Sequence, residues 1–212
     1  MKSSEQSITV SVLTTILVAA TIWAAEEVAV VRQSFDKVPE GWELKDEGER
    51  GAAVRDGVLL VWIDNSARQY QPMTVRVPGE YHDVTIEVEV TKRSGAATTA
   101  IGLLCRNSTA GRYFADVDEN GEVRLGANLK GEGQKVLATV EKPKTWREGM
   151  NQLRLECMGE NLAFSVNGER LLTASDSRLP AGTIGVRAGG AGSDRTEAAF
   201  DNLVVTGAQV NP

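Results

Sequence analysis

From residue 82 to residue 92 the chain reads HDVTIEVEVTK. Val84, Ile86, Val88 and Val90 fall on one phase, and Thr85, Glu87, Glu89 and Thr91 on the other. A period of two turns one face to a core and the other to water, which predicts a half-buried antiparallel strand. Residues 151–157 repeat the pattern with Leu153, Leu155 and Cys157 inward, and Leu162, Phe164 and Val166 resume it after a Gly159-Glu160-Asn161 turn. Asn167-Gly168 is a tight hairpin signal, because both residues tolerate the positive φ angles such turns need. Residues 100–106, 112–118, 122–127, 183–187 and 198–205 are further candidate strands. Short strands punctuated this often by turns predict an all-β protein: a two-sheet antiparallel β-sandwich of the jelly-roll kind over residues 35–207. Residues 208–212 are then a C-terminal tail.

The N-terminus breaks the pattern. Residues 8–25, ITVSVLTTILVAATIWAA, carry no charge. As a helix they extend about 27 Å at roughly 1.5 Å per residue, close to the hydrocarbon thickness of a bilayer. Ile8, Leu13, Ile16, Leu17, Ile22 and Trp23 mark the expected membrane anchor, with Trp23 at the interface. Lys2 precedes the run and Glu26 and Glu27 follow it, which predicts a cytoplasmic segment 1–7 and a domain on the periplasmic or extracellular side. Residues 26–34 then serve as a tether. A cleaved signal peptide is the competing expectation. Against it, cleavage after Ala25 puts Trp23 at the −3 position, and the small-residue exit before Thr21 lies inside the apolar run. No cysteine provides a lipoprotein anchor in this segment.

Composition narrows the function. The 212 residues suit one domain with a short appendage, and a net charge of −6 with a single histidine, His82, argues against a nucleic-acid partner. The two cysteines, Cys105 and Cys157, each end a candidate strand in phase with inward apolar neighbours. In an oxidising compartment they predict a disulfide; the alternative is a pair of small buried thiols.

Several stretches together carry a family likeness: AIGLLCRN, RYFADVDENGEVRLG, the run from Trp146 to Glu169, GTIGVRAG and AFDNLVV. Over roughly residues 35–207 this resembles the concanavalin A-like lectin/glucanase superfamily, and more narrowly the laminin-G-like jelly rolls of bacterial cell-surface proteins. The likeness implies the fold and says little of function, since such sandwiches serve enzymes, lectins and scaffolds alike. It also implies that cysteines at these two strand positions accompany one another, and it leaves room for calcium somewhere in the sandwich.

Glucanases of that superfamily are expected to carry acids at E-x-D-x-E spacing on one strand face, since a retaining mechanism needs two carboxylates about 5 Å apart. Glu87 and Glu89 in TIEVEV lack the intervening aspartate and the third acid, and Asp116 and Asp118 run directly into a turn. Both stretches are expected to be solvated strand faces. Asp116 to Gly121 imitates half a calcium loop, but Ala127 stands where the bidentate glutamate belongs, so a hairpin is expected and no cofactor is assigned. His82 is expected at the surface. The glycines at 189, 190 and 192 precede no helix, so they do not form a phosphate cradle. Asn107-Ser108-Thr109 fits a glycosylation triplet that arises often by chance.

Sugar binding needs aromatic faces with polar neighbours. Trp42 and Trp146 are expected to pack at strand edges, leaving Trp62, Tyr70 and Tyr81 as candidate ligand contacts. With no catalytic set in view, the expected function is non-catalytic: an accessory or scaffolding subunit of a membrane protein complex. It would be held by the lipid bilayer and by helix contacts through Thr9, Thr14, Thr15, Ala19 and Ala20. A glycan-binding module is the second expectation, and a glycoside hydrolase the third.

Overall fold

The computed structural model describes residues 29–64, 71–95, 100–118, 121–190 and 195–209. Among them are thirteen strands: β1 (Ala29–Gln33), β2 (Arg50–Arg55), β3 (Val58–Ile63), β4 (Gln71–Ser94), β5 (Ala100–Ser108), β6 (Gly111–Asp118), β7 (Val123–Leu129), β8 (Gly133–Val140), β9 (Met150–Met158), β10 (Asn161–Val166), β11 (Glu169–Ser175), β12 (Gly182–Gly190) and β13 (Thr196–Gln209). The all-β expectation holds, and every pairing is antiparallel.

The 24-residue β4 serves both layers. Its first part pairs with β12 from Gln71 to Tyr81, and its last part lies between β9 and β13. One sheet therefore runs β4-β12-β5-β6-β7-β8. The other runs β11-β10-β9-β4-β13-β3-β2, with β1 along the end of β13. Gly79, at φ +106, lies just before the passage from one sheet to the other, where a side chain would be strained.

The period-two positions face inward as the sequence predicts. Val84, Ile86, Val88, Leu153, Leu155 and Phe164 of the second sheet share one core with Ile101, Leu103, Tyr113, Ala115, Val117 and Leu125 of the first. Each Val, Ile, Leu or Phe among them contributes roughly 1.5–3 kcal/mol by leaving water. Cys105 on β5 and Cys157 on β9 form a disulfide between the two layers. Beside it, Arg106 is 2% exposed and spends its guanidinium on carbonyls: Nε donates to His82 O, Nη1 to Leu179 O and Nη2 to Cys157 O. This arginine fastens the β4 crossing, β9 and the segment before β12 to one point.

That segment is held by a second polar group. The Tyr113 hydroxyl donates to Asp176 Oδ1 at 2.7 Å, and Arg178 pairs with the same carboxylate. Hydrogen bonds from Arg178, with help from Tyr113, hold Asp176 well below the usual carboxylate range. Burial and the Asp176 contact push Tyr113 up to about 12. A carboxylate whose folded pKa is depressed stabilises the protein above about pH 4 and loses that contribution as pH falls below it. Asp176→Asn is therefore expected to cost about 2 kcal/mol at pH 7. Melting curves of variant and parent should converge as the pH is lowered from 4 towards 2; a gap that stays constant would show that the carboxylate's charge is not what matters.

Two sequence expectations need correction or fall away. Residues 29–33, placed in a tether by the hydropathy pattern, form β1 and pair with Leu203 to Thr206. The anchor residues Ile8, Leu13, Ile16, Leu17, Ile22 and Trp23 lie outside the described residues, and among the described residues no helix is long and apolar enough to cross a membrane.

Candidate functional site

The middle of the first sheet is buried on both faces. β5 and β12 are buried at nearly every position, so their outward side chains lie in a second buried layer beyond the main core. Register defines that layer. One cross-strand row holds Thr74, Arg187, Gly102, Asp116, Arg124 and Thr139, taken in order from β4 to β8. The next holds Arg76, Gly185, Leu104, Phe114 and Gly126.

Asp116 lies at the centre, 1% exposed. Arg124 donates Nε to its Oδ1 at 3.0 Å and places Nη2 at 2.9 Å, while Arg187 Nη1 stands 3.5 Å from Oδ2. The Arg187 guanidinium also lies over the Phe114 ring, 5.3 Å from its centroid. Arg187 reaches Asp116 across β5, where Gly102 sits between them. A Cβ on Gly102 would stand 2.0 Å from Ala115 O and 2.8 Å from the Asp116 Cβ. Gly126 likewise leaves room for Phe114, whose Cζ is 2.5 Å from where a Cβ would be. Taking a carboxylate and a guanidinium out of water costs several kcal/mol per ion, so the cluster persists only because its partners are fixed. The result is one buried carboxylate held between two guanidinium groups.

A cavity of about 490 Å³ opens on the same face. Thr74 and Arg76 of β4, Asn107, Arg112 and Thr183 line it, and the Gly41–Lys45 segment forms its wall. Thr74 thus belongs both to the cavity and to the row that holds Asp116.

The sequence expectations meet this geometry unevenly. Asp116, assigned to a solvated strand face, is instead buried and clasped. Its signal was charge complementarity with Arg124 and Arg187, which no local window contains. Glu87 and Glu89 lie on the other sheet: Glu87 pairs with Arg154, and Glu89 accepts from Asn202 Nδ2 at 2.9 Å. Arg154 and Arg170 both bind Glu156; burial pushes that carboxyl up, but the two guanidinium groups outweigh it and lower its pKa. This ladder lines a hollow of about 480 Å³ on the opposite face of the molecule. Trp62, expected to meet a ligand, is 2% exposed; its Nε1 donates to Gly48 O, and Arg55 and Arg195 stand 5.2 and 5.0 Å from its ring centroid. Tyr81 is fully buried and donates to Pro78 O. Neither ring is offered to a ligand, and Tyr70 lies outside the described residues. Trp42 packs edge-on against Phe35, and Trp146 packs against the core. His82 is half exposed beside Asp83. Among the described residues no three His, Cys, Asp or Glu side chains cluster as metal ligands.

Two layers joined through a shared strand, with a polar groove over one sheet, have the fold of concanavalin A-like lectins and glucanases. Residues 31–206 match the model of the 3-keto-alpha-glucoside-1,2-lyase-like domain, and the chain belongs to that family. Among solved structures, it is similar to the carbohydrate-binding module CBM66 from Bacillus subtilis, at 19% identity and a TM-score of 0.62, covering 78% of this chain and 95% of that one. It is also similar to the laminarinase catalytic domain from Thermotoga maritima, at 13% identity and a TM-score of 0.63, covering 87% and 99%. A third is the GH43 protein BlXynB from Bacillus licheniformis, at 17% and 0.64, where the match covers 88% of this chain but 40% of that one. No curated protein matches the chain by sequence.

These findings overturn the expectation of a non-catalytic scaffold in a membrane complex, and with it the expectation that the chain is not an enzyme. The missing E-x-D-x-E strand speaks against one glucanase mechanism and not against sugar chemistry.

Proposed function

We propose that this chain binds a glycoside in the groove over the first sheet and cleaves it by elimination across C1 and C2 of a sugar oxidised at C3. The family match supports a 3-keto-glucoside as the substrate class. What supports this location is the buried Arg187–Asp116–Arg124 cluster, which adjoins the groove through Thr74, the register partner of Arg187. A carbonyl at C3 acidifies the C2 proton. A base removes that proton and the C–H electron pair is held as an enolate on the C3 oxygen; as the C3 carbonyl re-forms, that pair moves into the C1–C2 bond and the C1–O pair leaves with the oxygen. The departing alcohol oxygen takes a proton and a C1=C2 double bond remains. Such a reaction does not need two carboxylates flanking the glycosidic bond; it needs positive charge fixed where the enolate oxygen forms. Arg124, whose side chain is 24% exposed, is the group that reaches substrate, and Asp116 is a positioning residue for both guanidinium groups.

A 4-nitrophenyl 3-keto-α-glucoside tests this directly. The expected result is nitrophenol release with loss of the C2 proton signal by NMR, reduced at least about 100-fold in Arg124→Met, the scale of losing one oxyanion donor. A second reading, a binding module without turnover, is favoured by the near-complete coverage of CBM66. Saturable binding of the ketoglycoside with no release of nitrophenol would establish that reading and overturn the elimination.

A further inference from the structure

Two cavities of nearly equal size lie on opposite faces, and their charges are built differently. In the hollow over the second sheet, Glu87, Arg154, Glu156 and Arg170 neutralise one another in a continuous ladder. In the groove over the first sheet, Lys45, Arg76 and Arg112 face one carboxylate, Glu43, although the chain as a whole carries a net charge of −6. No ion pair holds Lys45 or Arg76 among the described residues. The neutral donors beside them are engaged with each other: Asn107 Nδ2 donates to Thr183 Oγ1, and Thr183 Oγ1 donates to Asn107 O. Cations in a concave site focus their field on whatever enters it. Arg76 on β4 and Arg112 on β6 stand three strands apart, about 14 Å at the usual spacing, so the positive strip is as long as a short saccharide.

We infer that the groove selects an anionic saccharide, one that carries a carboxylate or a sulfate which Arg76, with Lys45 and Arg112, receives. This rests on the groove being the saccharide site and adds the charge class of its ligand. Thr74 ties the two parts together, since it lines the cavity and stands opposite Arg187 in register. The anionic group of the ligand would therefore lie along β4, to one side of the Asp116 cluster.

Calorimetric titration of the full chain with three disaccharides of one linkage decides it: one with a glucuronate residue, one with a 6-sulfated glucose, and the neutral parent. The expected result is binding of at least one acidic form about 10-fold or more tighter than the neutral one, with the advantage reduced at physiological salt. Whichever acid wins identifies the group. Arg76→Met and Lys45→Met, both at exposed positions, should bring the ratio of acidic to neutral affinity close to one. Equal affinity for acidic and neutral forms, or an unchanged preference in both variants, overturns the inference. If the acid preference is missing while the neutral ketoglycoside is still cleaved, only this inference falls. If no saccharide binds, the 3-ketoglycoside included, the functional proposal falls with it.

Discussion

Asp116→Ala is expected to lower stability by about 3–5 kcal/mol and to abolish the proposed elimination. The size follows from what the substitution leaves behind. Removing one member of a buried ion cluster exposes the others to an uncompensated desolvation cost, which is larger than the worth of the intact pair. Arg187 cannot escape, because its side chain is 4% exposed and lies over Phe114. Arg124 can turn partly to solvent, so the cost falls towards the lower end of the range. For a domain of this size each kcal/mol is worth roughly 2–4 °C in melting temperature, and a drop of about 6–20 °C is the expected measurement. Asp116→Asn keeps the shape and one acceptor, and should recover part of the stability but little activity, because two cations then share a neutral amide. An Asp116→Ala protein that melts with the parent would show that solvent already reaches the cluster, which would then lose its claim to be a built site.

The sequence carried the second sheet well and the first sheet poorly, and the reason is physical. Residues 82–92 and 151–157 alternate cleanly because the outer face of their sheet meets water. In AIGLLCRN and GTIGVRAGG both faces are covered, so alternation fades and an outward layer cannot be told from an inward one. Arg187, Asp116 and Phe114 therefore gave no periodic signal of belonging to a site. The first part of β4 was hidden for a different reason: Pro72, Pro78 and Gly79 read as turn residues, yet they stand in a strand that passes between sheets. Trp62 was misjudged because its companion Arg195 is far along the chain, and the pairing that covers the indole appears only once β13 lies beside β3.

Absence of a carboxylate pair excludes glycosidic cleavage only if the substrate is an ordinary glycoside. A carbonyl at C3 moves the chemistry from the acetal carbon to its neighbour, and the demand on the protein changes from two acids to a base and a fixed cation. On the proposed reading, the buried cluster of Asp116 with Arg124 and Arg187 would supply the fixed cation.

Breaking the Cys105–Cys157 bridge is expected to cost about 4 kcal/mol and to leave the groove intact. The cysteines are 52 residues apart in sequence, and closing a loop of that length in the unfolded chain removes about this much entropy. Since the effect resides mainly in the unfolded state, the native sheets need not move when the bond is absent. Inside the fold the two layers remain joined by β4 and by Arg106, whose Nη2 still reaches the carbonyl of residue 157 in a Cys105→Ala, Cys157→Ala variant. The variant should therefore melt about 8–16 °C below the parent, and reductant should lower the parent to a similar temperature while leaving the variant unmoved. Saccharide affinity measured well below both transitions should be the same in the two proteins. If the variant instead melts with the parent, the bridge constrains little that β4 and Arg106 do not already hold. If affinity falls as well, the bond shapes the native first sheet, and strand β5 with Gly102 is where that distortion would enter the groove.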